Sequence, residues 1–117
     1  IAYRIEYIDG MKATMLLMNG LVGDFTVAAR IKGQAAPLST LFYLPPVPNV
    51  AYSAELMAKA EATFMTGKSP CPLERTLLTT GLVEACVQSV GKGQARIETP
   101  HLAIEYAVSP ESTWARD

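Results

Sequence analysis

At 117 residues the chain is sized for one domain with a modest core, too short to hold both a core domain and a full nucleotide-binding domain. Half of its residues are hydrophobic and the formal net charge is −1, a balance that excludes a disordered chain and leaves no basic excess for gripping a phosphate backbone. No apolar run nears the roughly 20 residues that span a bilayer, and no secretory leader pattern opens the chain, so the expected compartment is the cytoplasm.

The first eighteen residues, IAYRIEYIDGMKATMLLM, place two β-rich apolar runs around Asp9-Gly10, a strong hairpin signal. A two-residue type I′ turn is expected there. It would set Ile8 opposite Met11, Glu6 opposite Ala13, Arg4 opposite Met15 and Ala2 opposite Leu17. In that register one face carries Tyr3, Ile5, Lys12 and Thr14, and the other carries Arg4, Glu6, Ile8, Met11, Met15 and Leu17. Neither face is plainly polar. A sheet with one wet face should alternate cleanly, so Ile8, Met11, Met15 and Leu17 are expected to be covered, with a second chain as the cover.

Beyond Asn19-Gly20, FTVAARIKG (25–33) alternates as a third strand, and STLFYL (39–44) reads as a fourth that Pro45 and Pro46 end. SAELMAKAEATFMTGK (53–68) repeats Leu56, Ala60 and Phe64 at helical spacing, with Ser53 as expected N-cap and Gly67 as terminator. A second helix is expected over 72–90, with Pro72 at its first position, Glu74 favouring its N-terminal dipole, and Gly91-Lys92-Gly93 ending it. Gly81 in its middle costs about 1 kcal/mol against alanine, which predicts close approach of a neighbouring helix or strand. Short strands over 96–98 and HLAIEYAV (101–108) follow, then a frayed tail over 109–117. The expected fold is a single α+β domain over 1–117, an antiparallel sheet with two helices on one face and the other face open to oligomerisation.

No stretch shows chemistry by itself. Gly91-x-Gly93 follows a helix and is not continued to G-x-x-G, so it reads as a terminator and not as a nucleotide loop. His101 is the only histidine and has no Cys or carboxylate at ligand spacing, which points to a structural or surface role. Cys71 at a helix N-terminus could favour its thiolate, but nothing else supports a nucleophile, and an ordinary loop cysteine is expected. Glu74 and Arg75 could form a ligand rim, though a capping carboxylate beside a solvated arginine explains them as well. Fifteen residues of ~1.5 Å rise put Cys71 and Cys86 roughly 22 Å apart, well beyond the ~7 Å reach of a disulfide, so two free thiols are expected. No catalytic, cofactor-binding or metal-ligating residue is assigned.

Three segments carry a resemblance: YRIEYIDGMKATMLLMNG, PLERTLLTTGLVEACVQSVGKGQARIETP and the closing HLAIEYAV. Together they resemble the later part of the C-terminal domain in the glucose-fructose oxidoreductase/inositol dehydrogenase family. That family's Ser-x-x-x-Gly phrase at the end of a helix looks like Ser89 to Gly93, and its strand-then-proline like Arg96 to Pro100. The G-x-G-x-x-G turn, the Glu-Lys-Pro motif and the aspartate-to-histidine helix of the family do not occur in these residues. The resemblance therefore implies a substrate-side and dimerisation domain of an NAD(P)-dependent oxidoreductase, inactive alone, with no cofactor of its own and with NAD or NADP on an upstream Rossmann domain of the parent. The opening Ile1, already within a strand, agrees with an excised piece. A free-standing small-molecule-binding or scaffold module is the alternative.

Overall fold

The structure, a computed structural model, describes residues 1–42 and 51–108. Its elements run β1 (Ala2–Glu6), β2 (Lys12–Leu16), β3 (Phe25–Ala29), β4 (Leu38–Phe42), α1 (Ala51–Thr66), α2 (Leu73–Gly91) and a 3₁₀ turn at Pro100–Leu102. The class is α+β, as expected. In place of one sheet there are two antiparallel pairs, β1–β2 and β3–β4.

The first hairpin forms where expected but with a different turn. Gly10 donates its amide to the Tyr7 carbonyl at 3.0 Å, and Tyr7 donates to the Met11 carbonyl at 2.9 Å, so the loop holds three residues, Ile8, Asp9 and Gly10. A type I′ turn needs positive φ at both central residues, yet only Gly10 has it, at +87°. Asp9 instead accepts the Met11 amide on Oδ1 at 2.9 Å. The result is a tight turn closed by a left-handed glycine bulge.

The extra loop residue corrects the register by one. The pairs are Ala2↔Leu16, Tyr3↔Met15, Arg4↔Thr14, Ile5↔Ala13 and Glu6↔Lys12. A one-residue slip turns every side chain of β2 to the other face. One face now carries Ile1, Tyr3, Ile5 and Tyr7 with Met11, Ala13, Met15 and Leu17; the other carries Ala2, Arg4 and Glu6 with Lys12, Thr14 and Leu16. The two mixed faces expected from sequence are replaced by one apolar and one largely polar face.

The second hairpin pairs Phe25 with Phe42 through to Ala29 with Leu38, which places Phe25, Val27, Leu38 and Phe42 on one exposed face. Its first strand stops short of the expected 33 because Gln34 donates to the Ile31 carbonyl at 3.1 Å and Gly33 turns left-handed. The expected extension to Leu44 and the breakers Pro45 and Pro46 lie outside the described residues.

Helix α1 begins at Ala51, so Ser53 sits inside it and is not its N-cap. Gly67, at φ +67°, ends it by donating to the Thr63 carbonyl at 2.9 Å. Pro72 caps α2 from outside at φ −58° and ψ 134°, one position earlier than expected, and Glu74 stands in the first turn. At the other end Gln94 donates to the Ser89 carbonyl at 2.7 Å, while the Ser89 hydroxyl donates to the Ala95 carbonyl, also at 2.7 Å. Ser89 thus fastens the turn that reverses the chain.

On α2 the residues Leu78, Gly81, Leu82, Ala85, Cys86 and Ser89 form one shielded stripe at helical spacing. Gly81 is buried, and a Cβ there would stand 2.9 Å from Leu102 Cδ1 and 3.2 Å from its Cγ. The close approach is as expected. The neighbour is the 3₁₀ turn, not a helix or strand. Leu102, 9% exposed, is the one large apolar side chain buried among the described residues.

Neither 96–98 nor 101–108 is a strand. The chain there makes the 3₁₀ turn and then runs without a ladder partner, although Leu102, Ile104 and Tyr106 still alternate inward against exposed Ala103, Glu105 and Ala107. The period of two is the sequence's own, but a strand also needs a neighbour to receive its hydrogen bonds. The expected tail at 109–117 lies outside the described residues.

Candidate functional site

Parity along β1 decides which groups of the hairpin face outward. Ile1 and Leu17 exchange both backbone bonds, at 3.0 and 2.8 Å, and Tyr7 donates to Met11, so the odd residues of β1 bond to β2. Their side chains form the apolar face. Tyr3, Ile5, Tyr7 and Ala13 are half-buried, while the β2 side of the same face is bare: Met11 is 53% exposed, Met15 38% and Leu17 47%. Three of the four interface residues expected from sequence therefore share one strip. Ile8 does not join them; it sits in the turn, 82% exposed.

Sequence reasoning set Tyr3, Ile5 and Tyr7 on the opposite side from Met11 and Met15. The signal that could have corrected this was present. A three-residue loop is the arrangement that gathers the apolar residues of both runs onto one face.

Beside β1 lies a cleft of about 890 Å³, bounded by residues 1–8, by Leu78, Leu82, Ala85 and Cys86 of α2, and by 93–99. Its size falls within the roughly 300–1,000 Å³ of small-molecule sites. Charges line its border in a chain of ion pairs: Arg4 Nη2 to Glu6 Oε1 at 3.1 Å, Arg96 Nη1 to Glu6 Oε2 at 3.0 Å, and Arg96 Nε to Glu98 Oε1. The bonds from Glu98, and after it Glu6, raise the Arg96 guanidinium above its ordinary value, so it stays a cation throughout. These groups are open to water and orient the 96–98 segment against β1 more than they stabilise the fold.

No family model, curated protein or solved structure matches this chain. What the site can do rests on its own geometry.

The other candidates are not brought into it. His101 is exposed on the 3₁₀ turn. Cys71 and Cys86 are both free thiols, as expected; the Ser69 hydroxyl donates to the Cys71 carbonyl at 2.6 Å just ahead of α2. Among the described residues no three His, Cys, Asp or Glu side chains gather as a metal site, and no helix is long and apolar enough to cross a membrane.

Proposed function

We propose that this chain acts by association, through the apolar strip of Met11, Met15 and Leu17, and that a second copy covers it. The observation that carries the reading is the register, which gathers apolar and aromatic side chains on one face of the hairpin and leaves Met11, Met15 and Leu17 of its β2 half exposed.

Together with the resemblance, this makes the chain the substrate-side and dimerisation domain of an NAD(P)-dependent oxidoreductase. It is inactive alone, works in the cytoplasm, and depends on an upstream Rossmann domain of the parent for NAD or NADP. In the assembled protein both helices lie on one face of a completed sheet. The cleft beside β1 favours a second reading, a free-standing small-molecule-binding module, because its volume suits a ligand.

Hydroxyl-radical footprinting across a concentration series tests the proposed strip. Met11 and Met15 should lose reactivity as concentration rises, while Met57 and Met65, exposed on α1, keep theirs and serve as internal controls. Unchanged reactivity at Met11 and Met15 would overturn the proposal.

A further inference from the structure

Two stretches of unpaired backbone border the cleft from opposite sides. Because the odd residues of β1 bond to β2, the amides and carbonyls of Arg4 and Glu6 point away from it, and among the described residues they have no backbone partner. On the other wall, segment 95–99 keeps a strand's alternation, with Ile97 and Thr99 half-buried and Arg96 and Glu98 exposed. Its backbone bonds come from odd residues: the Ala95 carbonyl accepts the Ser89 hydroxyl, and the Thr99 carbonyl accepts the Leu102 amide. The amides and carbonyls of Arg96 and Glu98 bond to no backbone group among the described residues. The segment lacks only a neighbour to receive its bonds, and β1 offers such an edge across the cleft.

Charge selects one register. Arg96 Nη1 already reaches across the gap to Glu6 Oε2 at 3.0 Å. With 96–98 antiparallel to β1 and Arg96 opposite Glu6, Glu98 comes opposite Arg4, so both pairs join opposite charges. A shift of two residues one way sets Arg96 against Arg4, and the other way sets Glu98 against Glu6. A parallel run with the same Arg96–Glu6 contact carries Glu98 past the end of β1. Parity agrees with the antiparallel register. Each even pair exchanges both backbone bonds, while Ala95 and Thr99 stay turned to their present partners. Ile97 falls opposite Ile5 and joins the apolar face.

We infer that segment 96–98 is a strap that closes onto the outer edge of β1 in this one register, turning the hairpin into a three-stranded sheet. Closure brings two walls of the cleft together and exchanges charge partners. Arg4, now held by Glu6 at 3.1 Å, passes to Glu98, while Arg96 keeps Glu6. The strap thereby controls access to the cleft, and it does so whether or not a second copy covers Met11, Met15 and Leu17.

Amide hydrogen exchange on the whole chain, read by NMR at two concentrations, tests the strap. The Arg96 and Glu98 amides should exchange roughly tenfold or more slower than in an unstructured chain, and equally so on dilution, while the Ile97 amide, turned away from β1, exchanges freely. Arg4→Glu sets two carboxylates opposite each other and should remove most of that protection. Adding Glu98→Arg restores opposite charges at both pairs and should return it, with circular dichroism confirming that both variants keep their helices. The inference is overturned if Arg96 and Glu98 of the unaltered chain exchange as fast as Ile97, or if their protection appears only at high concentration, which would assign the edge to a second copy. Protection that survives Arg4→Glu, or that the double variant does not regain, overturns it as well.

Discussion

A Gly81→Val variant is expected to lose roughly 1–3 kcal/mol of stability, the usual cost of overpacking, and to melt several degrees lower. Gly81 faces the Leu102 side chain so closely that even one added carbon meets it within 3 Å. The 3₁₀ turn holds the Leu102 backbone, whose amide donates to the Thr99 carbonyl at 2.9 Å and the next amide to Pro100 at 3.3 Å, so relief of the clash has to come from turning the Leu102 side chain out of its contact with α2. Valine is a better helix former than glycine, but by only about 0.4 kcal/mol, which does not offset the clash. Thermal unfolding followed by circular dichroism reads the effect. Adding Leu102→Ala should recover part of it, since the two residues share one contact. An unchanged or raised melting temperature for Gly81→Val would mean the turn is not packed on α2 as described.

The second large effect is on assembly. Met15 pairs directly with Tyr3 and lies within the bare strip, so Met15→Lys places a charge where a partner would exclude water. Face-to-face association should weaken roughly a hundredfold, as a penalty near 2.7 kcal/mol implies. The helical circular dichroism should persist, because neither α1 nor α2 depends on that strip. Collapse of the helical signal would instead place Met15 in the protomer's own core.

How much of this was legible in the sequence depended on whether the deciding interaction was local. The ends of both helices were readable, because Gly67 and the Gly91–Gly93 phrase stop a helix through their own backbone freedom. The hairpin's existence was readable from Asp9-Gly10 for the same reason. Its register was not readable from the turn alone: Asp-Gly serves both a two-residue turn and the last two places of a three-residue loop, and only the apolar pattern of the two runs, gathered on one face by the longer loop, tells them apart. Segment 101–108 has a strand's alternation, yet strand formation needs a neighbour that the local pattern does not specify. The start of α1 misled in a simpler way, since Ser53 is a good cap by type but the helix had already begun at Ala51. Of the candidate strip, Met11, Met15 and Leu17 were readable as unusually apolar, while the companions Tyr3, Ile5 and Tyr7 depended on the register.

The most direct measurement is the solution mass of the unaltered chain by light scattering across a concentration series. Self-association through the apolar strip predicts a mass at least twice the chain's own 12.6 kDa, rising with concentration. A constant 12.6 kDa throughout would contradict it and leave the strip to be covered by a different protein surface.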